Sequence, residues 1–382
     1  MIVLDADSYM RADAVLQLAR IAEAYPKIGI LQSLVVGAPS RSAFARLFQF
    51  GMRAGMRSYT AGAAWWTADC GPFWGHNALV RIRPFLDHCD LPTLRGRPIL
   101  SHDQLEAALM RAAGHEVRVL PVERGSFEEN PPDMVEFSNR DLRWCQGNMQ
   151  YWRLVGLPGL LPVSRFQLAW AISMFISLPA SQIMLLAAAV KPFDGEPLAA
   201  FPTASAITFY FVYLAIALAP KLAGYADVLL GRETARYGGA ARFSAGVSLE
   251  LCASYLLSAA TAFRTSLFLM GLPFGRDLSW GSQQRDAHEL SWSAAAAPFW
   301  PGMLFAAALI VMLAAGAPAA IPYALPFVAG MFLAIPFAKF TAAPGLGAAM
   351  ADAGLCATPE EVSRSLPASG SVRPALPAAA SD

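Results

Sequence analysis

Three short blocks in this sequence could do chemistry. The first is Val3-Leu4-Asp5-Ala6-Asp7-Ser8, at the start of the chain. It reads as a short buried strand that delivers two carboxylates to its open end, because side chains two apart on a strand point the same way. Asp5 and Asp7 would then offer hard oxygen ligands on one face, suited to Mg2+ or Mn2+ carrying a diphosphate. Taken alone, an Asp-x-Asp is also a strand-end turn with aspartate caps. The second block is Ser101-His102-Asp103 and the third is Arg140-Asp141-Leu142-Arg143-Trp144. Asp103 precedes a helical stretch over 104–113 and would cap it. A helix N-terminus also keeps a carboxylate ionised and able to accept a proton. Arg140 and Arg143 supply fixed positive charge for phosphate oxygens, and Trp144 supplies a flat apolar face for a sugar ring. The same Arg/Trp composition suits a helix lying at a membrane surface.

The elements that must position these blocks follow from the hydrophobic pattern. Helical spacing runs over 9–25 and ends before Pro26; residues 28–36 form a near-continuous apolar run of the buried-strand kind. Residues 44–59 read as a helix with arginines on one side, 78–81 as a strand after Gly71 and Gly75, 103–114 as a helix and 116–120 as a strand. That alternation predicts an α/β domain with a mostly parallel sheet. Residues 141–154 read as an amphipathic helix rich in Trp and Arg.

Composition marks a second region. The 382 residues are 55% hydrophobic and 15% charged, too apolar for an ordinary soluble domain of this length. Residues 166–190 carry no charge, and Pro179 within them permits a kink without vetoing a span. Further spans are predicted at about 205–222, 297–316 and 320–338. Lys221, Arg232, Arg236 and Arg242 place the 221–243 loop in the cytosol by the positive-inside rule, together with residues 1–160. Residues 243–272 are apolar but contain Glu250 and Arg264, which predicts an interfacial helix rather than a fifth span. The tail, 341–382, is rich in Ala, Pro, Ser and Gly and reads as disordered. The net charge of +1 leaves no nucleic-acid footprint. Cys70, Cys89, Cys145, Cys252 and Cys356 lack Cys-x-x-Cys spacing, which argues against a disulfide framework or a zinc site. His88 and His115 have no metal-ligand spacing and read as surface or fold positions.

In this order the three blocks resemble the processive family 2 glycosyltransferases, which include the cellulose and hyaluronan synthases. Val3–Ser8, Trp74-Gly75-His76-Asn77-Ala78, Ile99–Asp103, Glu106–Arg111 and Arg143-Trp144-Cys145-Gln146-Gly147-Asn148 resemble the bacterial inner-membrane branch that builds the glucose backbone of osmoregulated periplasmic glucans. The resemblance covers residue 1 to about 340. It implies the C-terminal part of a GT-A nucleotide-sugar transferase domain followed by transmembrane helices. The implied activity is inverting transfer of glucose from UDP-glucose to a growing β-linked glucan, with Mg2+ or Mn2+ as cofactor.

The resemblance also implies roles. Asp103 is the catalytic base, with His102 standing where the family usually has an acid and so able to share in proton transfer. Asp7 and Asp5 hold the metal; Asp5, Arg140, Arg143 and Arg285 face the donor diphosphate; Trp144, Trp74, His76 and Asn77 line the acceptor side. The family has Gln where this chain has Arg140. The stretch 280–286, with Trp280 and Arg285, corresponds to a gating loop over the nucleotide, or is simply a polar loop beside the membrane. The family pattern places uridine-binding strands before the metal block, so Met1 reads as an internal methionine or a misassigned start. Expected partners are UDP-glucose, a glucan acceptor, the lipid bilayer and other proteins of periplasmic glucan biosynthesis, with no nucleic acid. Another processive polysaccharide synthase, and an inactive truncated membrane remnant, remain as alternatives.

Overall fold

The computed structural model describes residues 1–94, 96–195, 202–278 and 286–365. The first half is a mixed α/β domain. Its main sheet has the order β1 (Ile2–Val3), β5 (Ala78–Val80), β3 (Ile28–Ser33) and β6 (Glu116–Leu120). β3 and β6 pair in parallel, while β5 runs antiparallel to both β1 and β3. β1, β3 and β6 therefore share one direction, but the sheet is mixed because β5 is inserted between them. A second, three-stranded sheet joins β2 (Ser8–Met10), β7 (Ser126–Glu128) and β4 (Val36–Gly37).

Helices α1 (Ala12–Ala24), α2 (Ala43–Thr67), α3 (Ile82–His88) and α4 (Asp103–Ala112) complete this part, followed by α5 (Met134–Met149). The helix expected over 9–25 gives up its first residues to β2, because Ser8, Tyr9 and Met10 pair with Glu128, Phe127 and Ser126. That partner lies far off in sequence and leaves no local sign. The helix expected at 141–154 begins earlier, at Met134, where the buried Asp133 carboxylate accepts from the amides of Val135 (2.8 Å) and Glu136 (3.0 Å).

The first metal block is the main local correction. β1 ends at Val3, and Asp5, Ala6 and Asp7 form a turn closed by the Ser8 amide donating to the Asp5 carbonyl at 3.0 Å. The two carboxylates are thus brought together by a turn at the end of the strand, and period-2 alternation does not apply to them.

The second half is helical: α6 (Pro162–Val190), α7 (Thr203–Leu230), α8 (Ala240–Gly271), α9 (Trp292–Ala296), α10 (Trp300–Gly316) and α11 (Ile321–Thr341). By length and composition, four helical stretches among the described residues can cross a membrane: Pro162–Phe193, Thr203–Leu230, Ala240–Phe274 and Pro318–Thr341. Trp300–Gly316 is apolar but shorter. Ile183, Phe209, Ile216 and Val311 are exposed on these helices, apolar surface that hydrocarbon would cover.

α8 packs along the α/β domain for most of its length. Near its start, Phe243 lies 5.7 Å from the Phe50 ring of α2, and Glu250 is buried against Gly51 with Lys221, Tyr225 and Ser254 as partners. In the middle, Leu257 and Ala260 share a core with Phe44 and Met134. Toward its end, Arg264 donates to Asn139 (2.7 Å), Thr265 donates to Asp141 (3.0 Å), and Phe268 packs with Leu142 and Cys145.

The segment after α11 is a second correction. The described part of the expected disordered tail contains α12 (Pro344–Asp352) and α13 (Pro359–Ser363), both folded back on α2. Thr358 and Glu361 form a reciprocal capping box. The buried Arg46 guanidinium pairs with Glu361, and the buried Arg53 pairs with Glu360 (2.7 Å) and Glu123. The arginines expected on one side of this helix therefore face inward. Composition hid this, because the low-complexity tail carries two glutamates whose partners sit three hundred residues earlier.

Candidate active site

The site is built where the Asp5–Ser8 turn, the 74–77 turn, the mouth of α4 and the first half of α5 converge. Gln32 lies in the otherwise apolar strand β3 and is fully buried. Its side-chain amide donates to the His76 carbonyl (3.0 Å), and its side-chain oxygen accepts from the Trp74 amide (2.9 Å). The 74–77 turn is thereby clamped to the sheet. Gly75 has φ +83°, and a Cβ there would lie 3.4 Å from the Asp103 carboxyl carbon. A glycine meets both demands, left-handed backbone and close approach to an acid.

His76 is held from both sides. Its Nδ1 lies 3.1 Å from Ser8 Oγ and 3.1 Å from Asn77 Oδ1, and its Nε2 lies 3.5 Å from Glu128 Oε2. Asn77 is fully buried, and its amide donates to Ser126 Oγ (2.8 Å) and the Phe127 carbonyl (3.1 Å). The structure thus makes Asn77 a shaper of the turn, with its amide committed to β7.

Asp103 opens α4 and is half-buried, which raises its pKa, with the neighbouring His102 pulling the other way. His102 is more exposed; its Nδ1 lies 2.9 Å from Glu106 Oε1, and that hydrogen bond raises the imidazole pKa. Behind this mouth, Tyr151 donates to the Ser101 carbonyl (2.7 Å), and Gly147 of α5 lies against Ser101, where a Cβ would collide. The end of α5 is in this way fitted to the loop that presents Asp103.

On α5, the Arg140 guanidinium lies 4.7 Å from the half-exposed Trp144 ring and within 5.8 Å of the Phe48 and Phe137 rings. Burial lowers the Arg140 pKa, and Glu128 and Asp7 oppose that. Burial likewise raises the Glu128 pKa against the pull of His76 and Arg140, and the charges of Asp7 and Asp5 raise it further. Glu136 carries the electrostatic influence of Arg143. Asp5, Asp7, His76 and Arg140 therefore lie within electrostatic reach of Glu128, and Asp103 and Trp144 border them. Arg285 and Trp280 lie outside the described residues.

Asp5 and Asp7 are hard oxygen donors, and among the described residues no group of three His, Cys, Asp or Glu side chains is placed to hold a metal ion. A divalent cation here would complete its shell with phosphate oxygens and water, the arrangement that suits Mg2+. Three residues escaped the sequence reading: Gln32, Ser126 and Glu128. A glutamine inside an apolar strand run was the one available sign. Glu128 is marked only by its pairing with the Asp5–Ser8 turn.

A family model for glycosyl transferase family group 2 matches residues 1–219. The chain belongs to this family. Among its relatives, the glucans biosynthesis glucosyltransferase H of Xanthomonas campestris pv. campestris (strain B100) is 33% identical over 382 residues, covering 95% of this chain and 59% of the relative. The protein of the same name from Caulobacter vibrioides (strain NA1000 / CB15N) is 34% identical, over 94% of the chain and 58% of the relative. That of Xylella fastidiosa (strain 9a5c) is 33% identical, over 96% and 60%. The chain thus spans less than two thirds of the length of these curated relatives. For a family 2 glycosyltransferase, the acids of the Asp5–Ser8 turn and of α4, with the Arg/Trp face of α5, lie on the side of the sheet where the parallel strands end.

Proposed function

We propose that this chain carries the acceptor side and the metal side of a membrane-bound glucosyltransferase, which moves glucose from UDP-glucose onto a growing β-linked glucan with inversion. The observation that carries the reading is the convergence of the Asp5/Asp7 turn, Asp103 and the Arg140–Trp144 face through His76 and Glu128. Supporting it are its relatives, which are glucans biosynthesis glucosyltransferases H.

In this reading Asp103 takes the proton of the acceptor hydroxyl, and burial keeps its basicity above that of an ordinary aspartate. Trp144 offers a stacking face for the acceptor sugar, and Arg140 stiffens that face from behind. Asp5 and Asp7 would hold Mg2+ or Mn2+, which supplies charge to the departing diphosphate when bound. Arg143 adds positive charge on the same helix. The catalytic domain sits on the cytosolic side of the bacterial inner membrane, with α6, α7, α10 and α11 crossing and α8 lying at the interface. The contacts of α8 with both α2 and α5 support that placement.

The test is incorporation of labelled glucose from UDP-glucose by native membranes carrying the full-length protein. Asp7→Asn should abolish glucan formation while the protein remains inserted and folded. Near-wild-type turnover would remove the turn from the mechanism.

A further inference from the structure

Glu128 stands within electrostatic reach of Asp5, Asp7, His76 and Arg140. Its backbone is fixed on both flanks: it pairs opposite Ser8 on one side and Gly37 on the other, and its carbonyl accepts from the Ala38 amide at 2.7 Å. The next amide, of Glu129, donates to the Asp7 carbonyl at 3.0 Å, so the strand end is tied to the Asp5–Ser8 turn itself. Alternation along β7 sends Phe127 to one face, where it stacks on Tyr9 at 5.0 Å, and sends Ser126 and Glu128 to the other. That second face is the one occupied by the 74–77 turn, since Ser126 Oγ meets both Asn77 and Ser33.

The Glu128 carboxylate can only accept hydrogen bonds when ionised, and His76 Nε2 lies 3.5 Å from its Oε2. His76 sits on the turn whose Gly75 lies against the Asp103 carboxyl. We propose that Glu128 is a positioning residue for the acceptor half of the site. Its carboxylate holds His76 and so, through the 74–77 turn, keeps Asp103 in register with the acceptor. This rests on the glucosyltransferase reading of the same site. A shift of about an ångström between a base and its substrate is enough to lower a rate about 10²-fold, so a residue that touches no substrate can still govern transfer.

The experiment compares Glu128→Gln, Glu128→Ala and Asp103→Asn in the full-length protein in native membranes. It reads donor KM, rate of glucan formation, and the ratio of UDP-glucose hydrolysis to glucan formation. Gln keeps the shape of the side chain but carries no charge to hold the His76 imidazole, and Ala removes that contact altogether. The expected result is an elongation rate lowered at least ~10-fold in Glu128→Gln, a donor KM within about 2-fold of wild type, and a partition shifted toward hydrolysis. In a double-mutant cycle with His76→Gln, the double variant should fall no more than about 2-fold below the worse single variant, because the two act through each other. Wild-type elongation and partition in Glu128→Gln, or fully multiplicative losses in the cycle, would overturn the proposal. So would a loss expressed as donor KM alone. If Asp103→Asn retains full transfer, the reading of the site itself fails; if it is inactive while Glu128→Gln is normal, only the role of Glu128 fails.

Discussion

Asp103→Asn separates chemistry from structure, because the two respond in opposite directions. Asparagine keeps the shape of the side chain but cannot take a proton. Loss of a general base costs about 10²–10⁴-fold in rate, equal to about 2.7–5.4 kcal/mol of barrier. Stability behaves differently. Burial raises the folded-state pKa of Asp103, so its contribution to stability is complete below the unfolded-state pKa and is lost as pH rises through the folded one. At neutral pH the ionised carboxylate is thus a net burden, which asparagine removes. Against that stands the loss of an acidic charge in the first turn of α4, about 0.3–1 kcal/mol, while the asparagine side-chain oxygen can still accept the backbone hydrogen bond made at this position. The variant should therefore unfold within about 1 kcal/mol of wild type, or later, while turning over at least ~10²-fold more slowly.

Two assays are needed: thermal unfolding of the purified protein, and labelled-glucose incorporation with UDP-glucose saturation curves. The wild-type rate should also fall at low pH along a limb centred above the ordinary aspartate value of about 3.9, and that limb should vanish in the variant. A drop in unfolding temperature that parallels the lost activity, or a loss expressed in donor affinity, would refute the assignment of Asp103 as base.

Two further outcomes are expected. Trp144→Ala should impair chain elongation more than hydrolysis of UDP-glucose, measured as product length against released UDP, because it removes a half-exposed stacking face and no leaving-group contact. A reporter active only in the periplasm, fused after Lys339, should stay silent if α8 is interfacial.

The elements that carry the candidate blocks could be read from local wording, because each block is a short contiguous unit. Asp103 at the mouth of α4 and strand β6 at 116–120 fall where the pattern placed them. What could not be read was the tertiary glue. Gln32 clamps a turn forty residues away, Ser126 receives Asn77 across two sheets, and Glu128 reaches the Asp5–Ser8 turn through strand pairing. Polar residues like these carry no periodic signal, since their partners and not their neighbours determine their burial. Asn77 belongs with them: the resemblance implied an acceptor contact, and what the structure shows is an amide committed to β7. The membrane half shows the converse. Its apolar runs are plain in the sequence, but length and composition alone cannot say whether α8 crosses, since they reward any long apolar helix.

The fold of the C-terminal segment bears on that question through parity. After α11 the chain returns to α2, where Glu361 and Glu360 meet Arg46 and Arg53, both about 1% exposed. α2 belongs to the α/β domain, so the residues after α11 and that domain lie on the same side of the bilayer. The number of crossings between them must then be even. With α6, α7, α10 and α11 crossing, an interfacial α8 gives four, whereas a crossing α8 gives five and would strand Glu360 and Glu361 across the membrane from their arginines. A five-span count is restored to parity only if α10 does not cross, and its 17 residues are at the short end of what spans hydrocarbon. The charge on α8 does not decide between these. Glu250 has Lys221, Tyr225 and Ser254, and Arg264 has Asn139, so neither is left bare in any placement. The packing of α8 decides more: from Phe243 to Phe268 it faces α2 and α5 over about 25 residues, or ~37 Å at 1.5 Å per residue, a length over which a membrane-normal helix would have left the domain behind. A silent reporter after Lys339 is demanded by parity alone. A fusion between residues 231 and 239, silent as well, with one between 194 and 202 active, would fix the first two crossings, and a fusion between 286 and 291, silent if α8 is interfacial and active if it crosses in place of α10, would decide α8.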